Sequence, residues 1–365
     1  MRQNDHLHFK LNRHYTPPVS QSSSIQASSL TSISESPWFQ SFLRWVITID
    51  HPSLSNDRHN YSSIAHLTNY IFFFGGHLRT VSNTKHLSLL VLLIVLCPMI
   101  LFSIFEVRRL WRICLSARAL VVLFYYSWIL CFQSFLKTAT SDPGLLPRNI
   151  HLPQLQNDFC IPNEYYNSIR LPSPVKNSPV TLKYCITCRI WRPLRASHCS
   201  TCNCCIMTFD HHCDWVNNCI GQRNYIHFLT FLFSAVICDI VLLAACSLCL
   251  ANASSISGDP VSVILICYSC LAIWYPAILA VYHIFLTGTQ QTTHEYLNSI
   301  GSGNPIFHKV VRADDHPFLT DSFVHNMVLQ MCQKKGFSAM STTKSHESGD
   351  WRFVDIPPPH SFEKI

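Results

Sequence analysis

The chain has 365 residues, of which 48% are hydrophobic and only 13% are charged, and its mean hydropathy is +0.18. The charged fraction is about half of the roughly 25% that is usual in soluble domains, so the composition argues against an ordinary soluble protein. The net charge of +7 could suggest nucleic-acid binding, but the basic residues lie beside apolar runs and form no single patch. We therefore expect a membrane protein without a nucleic-acid partner.

Residues 1–86 form a polar arm that we predict to be cytosolic and largely disordered. The arm contains the tract SQSSSIQASSLTSISES, which is too poor in large apolar residues to fold alone. The segment NYIFFFGG, Asn69–Gly76, is more apolar, and we interpret it as an interfacial segment. A re-entrant or additional membrane span is the alternative for this segment.

Four segments approach or exceed the length of about 20 apolar residues that a membrane span needs. They are Leu87–Phe105, Ala119–Leu136, Phe228–Leu250 and Val261–Leu286. The chain thus divides into two pairs of spans, 87–136 and 228–286, separated by a loop, 137–227, and followed by a C-terminal region, 287–365. The alternative is that these segments are buried helices of a large soluble protein.

The distribution of Lys and Arg predicts the orientation of the spans. Of these residues, 23 lie in the arm, the central loop and the C-terminal region, and four lie in the connection Glu106–Arg118. The connection Ala251–Pro260 has none. We therefore expect both termini and the central loop to be cytosolic.

A cysteine-rich segment lies in the central loop, and we take its core as residues 183–228. Eight of the 18 cysteines fall between Cys185 and Cys219, together with three histidines. Because the cytosol is reducing, metal ligation or thiol chemistry is favoured there over disulfides. Overlapping C-x2-C pairs with interleaved histidines are typical of structural zinc.

The candidate ligands can be counted against the ions that they could hold. Two closed Cys3His zinc sites need eight ligands, and the spacing supplies Cys185, Cys188, His198, Cys199, Cys202, Cys205, His212 and Cys219. Such sites have no open coordination position for catalysis. Three candidates are left over: Cys204, His211 and Cys213. Cys204 lies inside a tight C-x2-C turn, and we assign it no chemical role.

His211 and Cys213 lie beside Asp210 in the hexapeptide DHHCDW. A thiol attacks as its thiolate. A nearby imidazole can take the thiol proton, and a carboxylate can orient that imidazole. Two flanking zinc sites could hold the segment in the turn that this arrangement needs. The alternative is that His211 and Cys213 are spare zinc ligands.

The segment Cys185–Phe228, CITCRIWRPLRASHCSTCNCCIMTFDHHCDWVNNCIGQRNYIHF, resembles the cysteine-rich domain of the DHHC protein S-acyltransferases. The likeness extends to SDPG after the second span, with Asp142, Pro143 and Gly144, and to TTHE after the fourth, Thr292–Glu295. These are similar to the DPG and TTxE motifs of that family. Segments such as NYIFFFGG and FSIFEV most resemble its fungal members that act on Ras.

This resemblance implies a two-step transfer from palmitoyl-CoA, the acyl donor. Cys213 would attack the thioester and form an S-palmitoyl intermediate, from which a substrate cysteine takes the acyl group. His211 would be the general base, and Asp210 would orient it. The acyl chain would lie in a cavity among the four helices.

The resemblance also implies how the ligands are divided. Zinc 1 would be bound by Cys185, Cys188, His198 and Cys205, and zinc 2 by Cys199, Cys202, His212 and Cys219. Thr293 would help to hold Asp210. Arg192 and Arg195 are placed to meet the phosphates of CoA, although a solvated basic face explains them equally well.

One residue departs from the family pattern. The family usually has Pro after the nucleophile, whereas this chain has Asp214. A carboxylate pointing at the sulfur would disfavour the thiolate, because like charges repel. The sequence does not explain why an acidic residue stands at this position.

The resemblance implies membrane-bound protein substrates, namely prenylated Ras-like GTPases, and a small accessory subunit. It implies the endoplasmic reticulum membrane as the location, with the Golgi as the alternative. The competing function is a non-catalytic, membrane-anchored zinc module that binds a protein partner. That function leaves Asp210, His211 and Cys213 without a purpose.

Overall fold

The computed structural model describes residues 37–46, 68–74, 76–82, 87–151, 168–171, 180–300, 319–320, 322–333 and 335–336. The Ser-rich tract and the end of the C-terminal region lie outside these ranges, so their predicted disorder stays a prediction. The chain divides into two units, Met1–Phe42 and Leu43–Ile365. The second unit contains all the elements that build the site.

The helices follow one another in chain order as α1 (Pro37–Val46), α2 (Leu87–Leu101), a π turn (Phe102–Glu106), α3 (Val107–Ile113), α4 (Leu115–Thr140), α5 (Tyr225–Ala251), α6 (Pro260–Ala272), α7 (Trp274–Gly288), α8 (Thr293–Ile300) and α9 (Phe323–Met331). α2 and α3 form one nearly continuous rod through the π turn, and α6 and α7 form another. The break between α6 and α7 precedes Pro276, which has no N–H to give to the carbonyl of Ala272.

Among the described residues, four helical stretches are long and apolar enough to cross a membrane: Leu87–Ile113, Leu115–Thr140, Tyr225–Ala251 and Pro260–Gly288. Their 26 to 29 residues correspond to about 39–44 Å, against a hydrocarbon core of about 30 Å. The predicted fold class, a polytopic helical membrane protein with a cysteine-rich domain between the second and third spans, is confirmed. Each helix continues past its predicted segment, because backbone hydrogen bonds extend into the polar residues where hydropathy ends.

A proline inside the first span creates a contact between spans. Pro98 has no N–H, so the carbonyl of Ile94 has no partner within α2. Tyr268 of α6 donates its hydroxyl to that carbonyl at 2.9 Å. The neighbouring carbonyl of Val95 accepts from the indole N–H of Trp128 in α4, also at 2.9 Å. Side chains of two other spans thus satisfy backbone groups where no water is available to do so.

Short antiparallel strands build the region between the second and third spans and the segment before the first. They are β1 (Tyr70–Phe73), β2 (Leu78–Val81), β3 (Ser168–Leu171), β4 (Val180–Cys185), β5 (Ile190–Trp191), β6 (Ser197–Cys199), β7 (Cys204–Ile206), β8 (His211–Cys213) and β9 (Asn218–Ile220). β1 pairs with β2, β4 pairs with both β3 and β5, β6 pairs with β7, and β8 pairs with β9. Three successive hairpins, β4–β5, β6–β7 and β8–β9, thus carry the eight cysteines and three histidines of the cysteine-rich segment.

The segment NYIFFFGG forms the first strand and turn of a β-hairpin, β1–β2. Tyr70 and Phe72 are buried in a cluster with Cys199, Cys202 and other residues of the cysteine-rich domain. Strand pairing rules out the alternative of an additional helical span. Ile71, Phe74 and Leu78 stay exposed on the other side of the hairpin, so the predicted position at the membrane interface stays a prediction.

The C-terminal helix α9 packs against the end of the last span. Phe323 lies so close to Gly288 that a Cβ added there would come within 2.0 Å of its ring. Asn326 donates to the carbonyl of Gly288 at 3.0 Å and accepts from the hydroxyl of Thr320 at 2.6 Å. These contacts fix the chain at Gly288, four residues before the TTxE motif begins at Thr292.

Candidate active site and metal centres

Two clusters of thiol and imidazole groups lie in the cysteine-rich domain, one made of Cys185, Cys188, His198 and Cys205, the other of Cys199, Cys202, His212 and Cys219. In each cluster the ligand atoms all lie within 4.8 Å of one another. The structure therefore brings together the two sets of four residues that were predicted.

Local geometry explains how each cluster forms. In each C-x2-C turn the second cysteine donates its backbone N–H to the sulfur of the first, from Cys188 to Cys185 and from Cys202 to Cys199, at 3.4 Å in both. A hairpin register supplies the other two ligands of each cluster. β6–β7 pairs His198 with Cys205, and β8–β9 pairs His212 with Cys219.

The spacing of the ligand atoms suits a tetrahedral zinc ion. Separations between ligand atoms include 3.4 Å from Cys188 Sγ to His198 Nδ1, 3.3 Å from Cys202 Sγ to His212 Nδ1 and 3.2 Å from Cys202 Sγ to Cys219 Sγ. Zn–S bonds of about 2.3 Å and Zn–N bonds of about 2.0 Å give tetrahedral edges of roughly 3.5 Å between sulfur and nitrogen and roughly 3.8 Å between two sulfurs. The sulfur–nitrogen separations are close to this value, and the sulfur pair is somewhat closer together. Both clusters fit a closed metal site that exposes no ligand position to a substrate.

Asp210 and His211 form a hydrogen-bonded pair at the start of β8. Asp210 Oδ2 lies 2.6 Å from His211 Nδ1. Thr293 donates its N–H to Asp210 Oδ1 at 2.8 Å and its hydroxyl to Oδ2 at 2.9 Å. The carboxylate is 2% exposed, and three donors surround it, which holds His211 in one orientation.

The electrostatics of this pair extend to Cys213. Burial alone would raise the pKa of the Cys213 thiol, but the hydrogen bond and charge of His211 and the backbone N–H groups of Val216 and Trp215 outweigh it, so the pKa is lowered. Burial would lower the pKa of His211, but Asp210 and Cys213 outweigh it and raise that pKa to about 10. The arrangement therefore favours a thiolate beside an imidazolium.

The side chain of Asp214 lies beside His212, a member of the second metal cluster. Its Oδ1 lies 3.5 Å from Nε2 of His212, while Nδ1 of the same ring faces the cysteines of the second cluster. A carboxylate beside the outer nitrogen of a metal-binding imidazole fixes its tautomer and orientation. This contact gives the acidic residue a place beside the metal ligand His212.

Arg195, for which a contact with CoA phosphates stays a prediction, is paired with protein groups in the structure. Its guanidinium donates to both carboxylate oxygens of Glu295 at 2.9 Å and to the carbonyl of Gln290 at 2.9 Å. The side chain is 7% exposed. A buried, bidentate pair of this kind has little left to offer an incoming phosphate, so Arg195 links the cysteine-rich domain to the TTxE segment instead. For Arg192, the contact with CoA phosphates stays a prediction.

Glu295 also closes a capping box at the start of α8. Thr292 donates its N–H to Glu295 Oε2 at 2.9 Å, and Glu295 donates its N–H to Thr292 Oγ1 at 3.1 Å. The next residue of the motif, Thr293, is thereby held against Asp210. The TTxE segment thus contacts the candidate active site through the carboxylate of Asp210.

A family model described as DHHC palmitoyltransferase matches residues 179–300. Palmitoyltransferase ERF2 of Eremothecium gossypii is 56% identical over 329 residues, which cover 90% of this chain and 90% of the relative. Palmitoyltransferase ERF2 of Saccharomyces cerevisiae is 52% identical over 327 residues, 89% of this chain and 91% of the relative. Palmitoyltransferase ERF2 of Debaryomyces hansenii is 38% identical over 347 residues, 87% and 91% of the two chains.

The chain belongs to the DHHC palmitoyltransferase family. The predicted family and its enzyme class, a protein S-palmitoyltransferase, are confirmed. The match of the family model begins at residue 179 and leaves out the β1–β2 hairpin and the DPG segment, whereas the relatives cover most of the chain.

The DPG motif of this DHHC palmitoyltransferase lies where α4 meets the cysteine-rich domain. Asp142 accepts from the N–H groups of Gly144 and Leu145 at 2.8 and 3.0 Å. Its carboxylate also lies 3.7 Å from Arg79 of the hairpin and 3.4 Å from Arg223. Gly144 has a φ of +111°, which favours glycine. The motif is therefore a junction between the hairpin, the second span and the metal clusters.

A cavity of about 380 Å³ contains Cys213 and His211 in its lining. It shares Trp215, Phe231, Leu232 and Tyr275 with a second cavity, of about 530 Å³, among the membrane-spanning helices. The second cavity is lined almost entirely by apolar side chains, and the carboxylate of Asp239 is an exception. An apolar chain attached at Cys213 would have space between the helices.

Sequence reasoning missed two groups of residues that the structure places at the site. The hairpin residues Tyr70 and Arg79 reach the domain only through the tertiary fold, and no local signal indicates them. His283, from α7, lines the same cavity as Cys213. An ionisable residue within a membrane span is a signal of function, and this rule could have identified it.

Proposed function

We propose that this enzyme transfers a palmitoyl group from palmitoyl-CoA to cysteines of membrane-associated proteins through a thioester on Cys213. The observation that carries the proposal is the position of Cys213. Its thiol belongs to neither metal cluster, and His211 lowers the pKa of that thiol. Cys213 and His211 line one cavity, which shares residues with the apolar cavity among the helices.

In the first step, the Cys213 thiolate attacks the carbonyl carbon of palmitoyl-CoA. The bond from that carbon to the CoA sulfur breaks, and the departing thiolate takes the proton of His211. Free CoA leaves, and the acyl group stays on Cys213. Asp210 stabilises the charged form of His211 before the step and keeps the ring oriented after it.

In the second step, neutral His211 takes the proton from the thiol of a substrate cysteine. The substrate sulfur attacks the acyl carbon, the bond to Cys213 breaks, and Cys213 returns as a thiolate beside protonated His211. The two steps therefore balance with one base. Because thioester is exchanged for thioester, no oxidant or further cofactor is required.

The residues of the two clusters would hold two structural zinc ions. Zinc, when bound, would crosslink the C-x2-C turns to the β6–β7 and β8–β9 hairpins, without an open coordination position. β8 carries His212 as a ligand, with the His211 and Cys213 side chains on either side of it. The clusters would thereby fix the backbone that presents the nucleophile.

The substrates that we propose are prenylated Ras-like GTPases with a cysteine close to their lipid. This rests on the likeness to fungal members of the family and on the site's position near the ends of apolar helices. We also propose a small accessory subunit, and a location in the endoplasmic reticulum membrane with the Golgi as the alternative. The Lys and Arg distribution favours cytosolic termini and a cytosolic active site.

The test is to incubate the purified full-length chain with labelled palmitoyl-CoA. We expect label that hydroxylamine releases, with two zinc ions per chain. Cys213→Ala should abolish the label and keep both ions. Cys204→Ala is the matched control, since Cys204 is a buried cysteine outside both clusters, and it should keep the label. Loss of one ion in Cys213→Ala would favour the non-catalytic metal module, and label persisting in that variant would refute the nucleophile.

A further inference from the structure

His283 is an ionisable side chain in the active-site cavity that the two-step mechanism does not use. It comes from α7, is 1% exposed, and lines the cavity together with Cys213, His211 and Thr293. Its ring centroid lies 6.2 Å from that of His211. His283 belongs to neither metal cluster and makes no hydrogen bond to Asp210 in the part of the chain that the structure describes.

Tyr225 determines which nitrogen of His283 is available. The Tyr225 hydroxyl lies 3.0 Å from His283 Nδ1. A neutral imidazole has one donor and one acceptor nitrogen. When the hydroxyl donates to Nδ1, the imidazole proton is on Nε2, which makes Nε2 a hydrogen-bond donor. This reading also satisfies the Tyr225 proton, for which no other acceptor is found among the described residues.

The Nε2–H group has no acceptor of its own within the described ranges. Aromatic rings surround His283: the centroid of Phe228 lies at 5.0 Å and that of Tyr282 at 5.5 Å, both edge to face. The side chain lines the cavity, so a bound substrate can supply the acceptor that the protein lacks. That cavity is where an acyl group on Cys213 would lie.

Both steps of the proposed reaction need such a donor. Attack on a thioester carbonyl places negative charge on its oxygen, and enzymes of acyl transfer stabilise that charge with preorganised donors. In the two steps described above, His211 transfers the protons, and no group has been assigned as a donor to the carbonyl oxygen.

Resting on the function proposed above, we infer that His283, held by Tyr225, donates Nε2–H to the thioester carbonyl oxygen and stabilises the oxyanion of both tetrahedral intermediates. In each intermediate the attacking sulfur has bonded to the carbonyl carbon and the C–O π electrons have moved to oxygen. Collapse restores the carbonyl and expels the other sulfur. His283 keeps its proton throughout, while His211 transfers the proton of each thiol.

The experiment compares a variant that keeps a donor with one that lacks it. His283→Gln retains an N–H donor, whereas His283→Leu fills similar space without one. We expect His283→Leu to slow acyl-enzyme formation and transfer by about 100- to 1000-fold, with little change in the KM for palmitoyl-CoA. His283→Gln should form and transfer the acyl group at least about tenfold faster than His283→Leu. His227→Leu, a histidine of α5 outside the cavity lining, is the control and should behave as wild type.

A spectroscopic measurement separates donation from packing. The infrared carbonyl stretch of the Cys213 thioester, isotope-labelled at the acyl carbon, should shift to higher frequency in His283→Leu, because the hydrogen bond is lost. Tyr225→Phe should shift it in the same direction by a smaller amount. Equal rates in the Gln and Leu variants with an unchanged stretch would overturn the inference. Failure of the wild-type chain to form the thioester would instead refute the proposed function.

Discussion

At the scale of single residues, the site shows how neighbouring side chains in DHHCDW have separate tasks. His212 faces the second metal cluster, and Asp214 lies against the outer nitrogen of that ring. His211 faces Asp210 and Cys213. A carboxylate at position 214 was expected to repel the Cys213 thiolate. In the structure the Asp214 carboxylate lies beside the metal-binding imidazole of His212, which offsets part of its negative charge.

The two arginines that sequence analysis treated alike should behave differently. Arg195→Ala removes the bidentate pair with Glu295 and loosens the segment that holds Asp210. We expect acyl-enzyme formation to slow by about 10- to 100-fold, the equivalent of about 1.5–3 kcal/mol for hydrogen bonds to charged groups. The KM for palmitoyl-CoA should change little. Arg192→Ala should instead raise that KM, and steady-state kinetics of the two variants provide the comparison.

A double variant provides the control for this prediction. Arg195→Ala combined with Glu295→Ala should be no slower than the slower of the two single variants, because the two side chains act as a pair. Additive losses would contradict the assignment. A raised KM in Arg195→Ala would restore the predicted contact with CoA.

At the scale of elements, the β1–β2 hairpin is part of the catalytic unit although it precedes the first span. Asn69 donates its N–H to the carbonyl of Cys202 at 3.1 Å. Tyr70 donates its hydroxyl to Asn218 Oδ1 at 3.0 Å in a buried position. Asn218 in turn donates to the carbonyls of Thr138 and Ser141, at 3.0 and 2.9 Å, at the end of α4. One asparagine therefore joins the hairpin, the second span and the turn that follows Cys213.

Tyr70→Phe tests this junction with the loss of one hydroxyl. The change leaves Asn218 Oδ1 buried without its donor, which costs about 1–3 kcal/mol. We expect a lower thermal-unfolding midpoint and slower acyl-enzyme formation, measured on the full-length chain. Tyr126→Phe is the matched control, because Tyr126 is 63% exposed on α4. Equal midpoints for the two variants would show that the hairpin bond contributes little.

At the scale of the whole molecule, the basic connection Glu106–Arg118 is the local exception to the predicted topology. The structure pairs part of that charge with its surroundings. Arg109 lies 2.6 Å from Asp259 and 3.9 Å from Glu106, and Arg118 donates to the carbonyl of Trp111 at 2.9 Å. Two of the four arginines are therefore paired with groups at this end of the helices. Paired charges oppose the predicted orientation less strongly, and the other 23 basic residues favour that orientation.

Two exposed cysteines at opposite ends of the helices test the orientation. Cys114 lies between α3 and α4, and Cys332 follows α9. In sealed vesicles with the cytosolic face outward, a membrane-impermeant maleimide should label Cys332 at once and Cys114 only after permeabilisation. Cys114→Ser and Cys332→Ser identify the labelled sites by mass spectrometry. Labelling of Cys114 in intact vesicles would reverse the proposed topology.

The sequence by itself determined the properties that depend on composition or on short spacings. Apolar segments of sufficient length predict membrane spans wherever they occur, because lipid requires all backbone groups to be satisfied within a helix. A C-x2-C turn brings its two thiols together locally, so the eight ligands could be counted without a fold. Cys204, His211 and Cys213 remained after that count, and the structure places His211 and Cys213 in the lining of one cavity.

Only the tertiary structure decided which distant segments meet at this site. Hairpin register places His212 opposite Cys219, whereas spacing alone would permit other divisions of the eight ligands. Arg195 meets Glu295 across 100 positions of the chain, and Tyr225 meets His283 across 58. Such contacts depend on how helices and loops pack, and no local pattern encodes their geometry. The sequence therefore suffices to propose Cys213 as the nucleophile, whereas the groups that surround it became apparent only from the fold.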